Sequence, residues 1–461
     1  MDMLLGGLSA VFWGVVLLSI IVFVHEGGHY VAARLFRVRV TEFYLGLPCR
    51  LKLFHKSRSH GTEVGVTPIL LGGYNRICGM EPGGDDELLA PALAIVQREG
   101  RVSGEAVAEE LGIDVERAYA LLVTLSDWAA IRPFYDPELG EKPTQGEYPE
   151  CFETLARDAN LLTEYDDGHD FETEGSTGAG EPRPLADPQK QLEAERSHTY
   201  LGCNFIKRVV ILVAGALVNV VLALTLVTGI YFTTEYQMPV NSNVVGDVVE
   251  ESLAIDAGIE AGDKVVSVAG KAVSDWTELA DALDTARAEG ADFTLVVERD
   301  GKERELVVDL PEGETVDAIG IYPQMEPYHL SLAESVQGAF NYAGMVATFA
   351  LRLIMPQHTM SVLESSSSIV GISVMASQAA AAGFADVIAF MAAISMSLGF
   401  MNLLPIPPLD GGKILIEIVQ LFTRRTLSMK VQTAISYVGI AFFIFVFFVV
   451  VRNDVLRFVV G

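Results

Sequence analysis

Four stretches of this chain are apolar and almost uncharged: Leu4 to Val24, Val209 to Phe232, Phe384 to Leu404 and Ala434 to Val451, with Asp386 the one acid among them. A bilayer core of about 30 Å needs about 20 apolar helical residues, so the pattern predicts four spanning helices. Elsewhere the periodicity changes. Gly61 to Met80 carries Val64, Val66, Ile69 and Leu71 before the turn signal Gly72-Gly73, which predicts a β-hairpin at the membrane closing a first unit, 1–80. Between Leu88 and Phe134 three short helices are expected, with Ser103 capping the second and Gly112-Ile113-Asp114 opening the third. Helix, helix-turn-helix and an extended tail make 85–135 a winged-helix-like insertion. Residues 136–198 are acidic and rich in Gly, Pro, Ser and Thr, which predicts disorder. After the second span at 205–232, short strands around a helix at Asp275 to Ala288 predict an α+β domain at 243–325. In 326–380 the apolar run Gly344 to Leu351 is too short to cross, and amphipathic segments on the membrane surface are expected. The last two spans occupy 384–461. The fold class is an α-helical polytopic membrane protein, a four-span bundle with an α+β domain and an insertion on opposite sides.

Charge sets the orientation. The net charge of −28 is concentrated in the acidic insertion. The spans are flanked instead by Arg34, Arg37, Arg39, Arg50, Lys52, Lys56 and Arg58 after the first, and by Lys207 and Arg208 before the second. The positive-inside rule puts both flanks, and the insertion between them, in the cytoplasm. Only Asp2 precedes the first apolar run, which lacks a basic leader and reads as a retained span. Cys49, Cys78, Cys151 and Cys203 all lie on the cytoplasmic side without a C-x-x-C pair, which argues against disulfides and a thiolate zinc site.

The chemistry begins where the first span ends, at His25-Glu26-Gly27-Gly28-His29. Histidines four apart share one helix face and can hold one zinc ion, with the intervening Glu within reach of the attacking water. Ionisable groups at membrane depth are costly and usually functional. A catalytic zinc takes three protein ligands. Asp410 is the third candidate, in Asn402-Leu403-Leu404-Pro405-Ile406-Pro407-Pro408-Leu409-Asp410-Gly411-Gly412, where three prolines break the helix. Irregular backbone at that depth is tolerated only inside protein or beside a wet cavity. Spans one, two and three alternate in direction, which brings Asp410 to the same end as His25 and His29.

HEGGHYVAARLF, PILLGGYNRICGM, VAGALVNVVLAL and NLLPIPPLDGG occur here in that order. Together they resemble the site-2 protease family of intramembrane zinc metalloproteases, and most closely its bacterial members of the RseP type. The resemblance covers the chain apart from the insertion. It implies one Zn2+ per chain on His25, His29 and Asp410, with Glu26 as the general base. It also implies that Asn402 helps position substrate and that the Gly72-Gly73-Tyr74 hairpin offers a β-edge to an unwound substrate. The expected location is the bacterial inner membrane, with the active site toward the cytoplasm. The implied substrates are single-span proteins, such as anti-sigma factors or remnant signal peptides. Gly215 is followed by Ala216 where the family often has Pro, and Lys413 stands where many relatives have His; neither departure falls on an implied ligand.

Ala254 to Val265 with Ser267 to Gly270 resembles a PDZ core, extracytoplasmic in this topology and read as a size filter in preference to a peptide grip. The expected recognition helix of the insertion carries Asp114 and Glu116 against Arg117 alone, so its charge argues against nucleic acid and for a protein partner. The intact zinc set argues against a scaffold, and the lack of an inverted repeat against a transporter.

Overall fold

The computed structural model describes residues 2–70, 72–80, 86–136, 149–311, 318–424, 427 and 429–455. Leu71, residues 81–85 and residues 137–148 of the acidic linker lie outside the described residues. The chain forms two compact units, 1–228 with 338–461, and 229–337.

Helix α1 (Asp2–Leu35) is continuous through the apolar run and the histidine motif. Strands β1 (Val40–Leu45), β2 (Leu53–Lys56), β3 (Glu63–Val66) and β4 (Gly73–Ile77) follow. They form one sheet in the order β2-β3-β1-β4, with β1 parallel to β3 and antiparallel to β4. The expected hairpin is therefore corrected: β3 and β4 do not pair, because β1 lies between them. β1 takes that place through its alternating side chains. Phe43 stacks on Phe23 and Tyr30 of α1, with ring centroids 4.7 and 5.0 Å away, while Tyr44 on the other face stacks on Tyr74 at 5.4 Å.

The insertion contains α2 (Leu89–Glu99), β5 (Arg101–Ser103), α3 (Gly104–Leu111), α4 (Val115–Asp127), β6 (Ile131–Phe134), β7 (Cys151–Thr154) and α5 (Pro188–Ser197). Ser103 caps α3 and Asp114 caps α4 through side-chain bonds to Ala106 N and Arg117 N. The strands form a sheet in the order β5-β7-β6. Leu93, Leu122, Leu125, Trp128 and Phe152 are at the centre of its core.

Residues 149–198 are folded, against the disorder expected from their composition. Few apolar side chains hold them; buried charge pairs do. Arg39 donates from Nε and Nη2 to the two oxygens of Asp166 at 2.7 and 2.6 Å, and from Nη1 to Glu195 at 2.5 Å. Arg157 bridges to Glu195 at 2.6 Å, and His198 to Asp166 at 2.5 Å. The Trp128 and Ala129 carbonyls accept from Arg39 as well. Burial alone would raise the Asp166 carboxyl, but the bonds from His198 and Arg39 outweigh it and hold that group well below the usual carboxylate range. Glu195 is likewise lowered, burial being overcome by Arg157 and Arg39. Such pairs are stable in a dry interior only when every partner is present.

Helix α6 (Phe205–Thr233) contains the second apolar run. In the second unit lie β8 (Glu235–Pro239), β9 (Val245–Val248), α7 (Leu253–Asp256), β10 (Lys264–Val268), β11 (Lys271–Ala272), α8 (Trp276–Ala288), β12 (Phe293–Arg299), β13 (Lys302–Val308), β14 (Ile321–Pro323) and β15 (Met325–His329). Its main sheet runs β11-β10-β12-β13, with β9 paired to β14 and β8 to β15. Val265, Leu279, Leu295 and Val297 are in its core.

The chain continues through α9 (Leu332–Leu353), α10 (Pro356–Ser365), α11 (Ile369–Ala382), α12 (Phe384–Asn402), α13 (Asp410–Thr423) and α14 (Met429–Val455). At 326–380, where surface segments are expected, α9 to α11 pack against the other helices. Ala343 of α9 packs on Ala223 and Met396, and Leu353 on Leu404 and Val450. The chain bends by 117° into α10. α11 then lies antiparallel along α1, with Ser9 Oγ 2.8 Å from Ser377 Oγ and Gly14 against Ser373. Small residues at these contacts let the helices pack closely. Among the described residues, four helices are long and apolar enough to cross a membrane: Gly6–Leu35, Phe205–Thr233, Phe384–Asn402 and Val431–Asp454.

Candidate metal centre

The site is built where α1, α6 and the break before α13 meet. His25 and His29, one turn apart on α1, bring their Nε2 atoms within 3.2 Å of each other. Asp410 Oδ2 is 3.2 Å from each Nε2. All three residues are buried. α12 ends at Asn402, and the proline-rich stretch returns the chain so that Asp410 starts α13 against the two histidines. The two glycines after Asp410 serve close approach: a Cβ at Gly411 would lie 2.3 Å from the Leu403 and Leu404 carbonyls.

These three atoms fit a zinc ion. Bonds of about 2.0 Å at tetrahedral angles separate neighbouring ligands by about 3.3 Å, and the three observed separations are each 3.2 Å. The proton of His29 agrees with this. His29 Nδ1 lies 2.7 Å from the Ile211 carbonyl, which can only accept, so the proton is on Nδ1 and Nε2 offers a lone pair. Asp410 Oδ2 is buried without a hydrogen-bond partner. Two imidazole nitrogens and a carboxylate oxygen converging at such distances are a donor set that suits a divalent cation.

α6 supports the cluster from behind. The Asn219 side-chain amide lies 3.5 Å from His25 Nδ1, and the Asn219 carbonyl accepts from Ser395 of α12 at 2.9 Å. Gly215 lies under the His29 ring: a Cβ there would come within 2.3 Å of Nε2. Gly28 answers from α1, where a Cβ would meet the Ala214 carbonyl at 2.5 Å.

Glu26 lies on the side of α1 that faces β4. Asn75 Nδ2 is 2.6 Å from Glu26 Oε2 and 3.1 Å from the Glu26 carbonyl. A Cβ at Gly73, on the same face of β4, would be 3.6 Å from Glu26 Cγ. Tyr74 points to the other face, where its hydroxyl donates to Glu42 at 2.6 Å. Gly72 precedes the strand beside Val22 and Leu47. β4 is the last strand of its sheet, and its only strand partner among the described residues is β1. Asn402 is half-buried at the end of α12.

The structure thus brings together His25, His29, Glu26, Asp410 and Gly73, and turns the Tyr74 side chain away. The contact of Asn75 with Glu26 was not anticipated. The strand alternation that puts Asn75 and Tyr74 on opposite faces was the available signal. The contacts of Gly215 and Asn219 needed the register of α6 against α1.

The sequence model of peptidase family M50 matches residues 13–446. The chain is 27% identical to the zinc metalloprotease RasP of Geobacillus kaustophilus over 452 residues, 96% of this chain and 97% of that protein. It is 25% identical to the probable protease eep of Enterococcus faecalis over 448 residues, covering 96% and 98%. It is 23% identical to the regulator of sigma-W protease RasP of Bacillus subtilis over 455 residues, covering 96% and 97%.

Proposed function

The chain belongs to peptidase family M50, and from that premise we propose that it cuts peptide bonds within the spanning segments of single-span membrane proteins. It is a zinc-dependent metalloendopeptidase of the site-2 type and a multi-pass membrane protein. The observation that carries the proposal is the buried triangle of His25 Nε2, His29 Nε2 and Asp410 Oδ2, 3.2 Å on each edge, with both histidines on a helix long enough to span.

In this reading His25, His29 and Asp410 hold the zinc. Bound there, zinc supplies Lewis acidity, which lowers the pKa of water toward about 7 and polarises the scissile carbonyl. Glu26 takes the proton of the attacking water and returns it to the leaving amine. A spanning helix hides its peptide bonds in its own hydrogen bonds, so the substrate must unwind first. The free edge of β4, entered at Gly72 and Gly73, can receive it by strand addition through main-chain groups, including those of Tyr74. Asn402 helps position the extended segment.

The name of the Bacillus subtilis relative ties that protein to sigma-W regulation, which supports anti-sigma factors as one substrate class; remnant signal peptides are another. The basic flanks support a bacterial inner membrane location with the catalytic end and the insertion on the cytoplasmic side and the PDZ-like domain outside. In the insertion, the element order and the β5-β7-β6 sheet support the winged-helix reading. Its acidic surface favours a protein partner over nucleic acid.

The test is zinc per chain in detergent-purified protein, with His29→Ala and Asp410→Ala beside the parent, followed by cleavage of tagged single-span proteins with Glu26→Gln as the inactive control. One zinc in the parent and loss in both variants is expected. A folded parent that takes up no divalent metal overturns the reading.

A further inference from the structure

We propose that Asn75 is a positioning residue for the general base, and that it ties Glu26 to the strand that receives substrate. The inference rests on the proposed role of Glu26 and goes beyond it.

A side-chain amide nitrogen carries two hydrogens. Asn75 Nδ2 has two acceptors within reach, both on Glu26: carboxylate Oε2 at 2.6 Å and the main-chain carbonyl at 3.1 Å. One residue therefore clamps both ends of the base, fixing the carboxylate relative to the helix turn that carries it. Oε2 is engaged as an acceptor, so Oε1 becomes the oxygen available for proton transfer. The opposite amide orientation would set the Asn75 carbonyl oxygen against two acceptors, so only this one satisfies both.

The clamp is itself held. Phe43 is the register partner of Asn75 across β1 and β4, and Phe43 stacks on Phe23 and Tyr30 on either side of the histidine motif. Gly73, two residues earlier on the same face of β4, has no side chain to compete for the carboxylate. Because β4 is an edge strand, a substrate added to it would be in register with the residue that orients the base. Strand addition and base alignment are then one event.

A purely structural role, pinning the sheet to α1, would show in both variants as lost zinc retention and a raised KM, whereas a role in holding the base shows in kcat alone. A donor role makes Asp the worst choice, because it removes both hydrogens and sets a second carboxylate against Glu26. Parent, Asn75→Ala and Asn75→Asp are compared as full-length protein in detergent. The probe is a synthetic single-span segment tagged at both ends, with Gly and Asn in its apolar core to ease unwinding. The expected result is zinc at the parental level in both variants, KM within about twofold, and kcat lowered about 10- to 100-fold in Ala, as for loss of a hydrogen bond to a charged group, and further in Asp. Equal kcat in all three, or an Asp variant more active than Ala, overturns the proposal. A second readout is independent of turnover. In protein labelled with 15N-asparagine, the side-chain resonance lost in Asn75→Ala should shift in Glu26→Gln; an unmoved resonance overturns the contact. A zinc-loaded parent that cuts no probe marks failure of the protease reading instead, and the asparagine resonance still decides whether Asn75 holds Glu26.

Discussion

His29 and His198 each face an aspartate, yet the two pairs are chemically opposite. His198 lies 2.5 Å from Asp166 in a cluster where Arg39 and Arg157 supply protons to every buried carboxylate. His29 lies 3.2 Å from Asp410 with its proton turned away toward Ile211, and His25 adds a further nitrogen to the same point. In the first cluster both carboxylates have donors. The second is short of positive charge at its centre. Burial of His and Asp therefore says little by itself; the count of donors against acceptors separates a structural lock from a metal site.

The sharpest way to break the comparison is to remove an acceptor from the second cluster. Asp410→Ala should abolish zinc retention and proteolysis while residues 149–198 stay folded, read by metal content and by their resistance to limited proteolysis. Removing the donor from the first cluster should do the reverse. Arg39→Met leaves Asp166 and Glu195 buried with fewer partners. Breaking a buried pair costs about 3–5 kcal/mol, seen as a lower unfolding midpoint and early cleavage within 149–198. Adding Asp166→Asn and Glu195→Gln should recover part of that loss.

A smaller effect is expected from Gly215→Ala. The new methyl presses on the His29 ring, so zinc affinity should weaken about 10- to 100-fold, the range seen when a partner that orients a metal ligand is lost; chelator competition measures it. Smallest is the response of the lock to mild acid. Asp166 and Glu195 are both lowered in the folded state. Their contribution is therefore fully present above the ordinary carboxylate range near pH 4 and is lost progressively as pH falls below it. Trp128, buried and with its carbonyl on Arg39, should report this by fluorescence. Loosening that begins near neutral pH would contradict it.

Much of the site was readable along the chain. His25, Glu26 and His29 are neighbours on one helix, so their spacing alone sets their common face. Asp410 announced itself by a broken span, because prolines beside an acid at membrane depth have few other uses. The four spans followed from length and hydropathy. Other features were not local. Pairing of β1 between β3 and β4 depends on Phe43 finding Phe23 and Tyr30. Composition pointed to disorder in 149–198 because it counts apolar side chains, whereas Arg39, from the end of the first span, supplies the missing order. The expectation for 326–380 rested on the shortness of the run Gly344 to Leu351; the packing of α11 along α1 through small residues was not visible in it.

The division has a physical basis. Helical periodicity and the membrane's demand for uncharged length act over a turn or a span, so the sequence by itself determined which residues share a helix face and which runs can cross. The closure of Asp410 on the two histidines to 3.2 Å, the approach of α6 to His29 at Gly215 and the capture of Glu26 by Asn75 are distances between segments far apart in the chain. Packing alone sets them, and only the tertiary structure decided them.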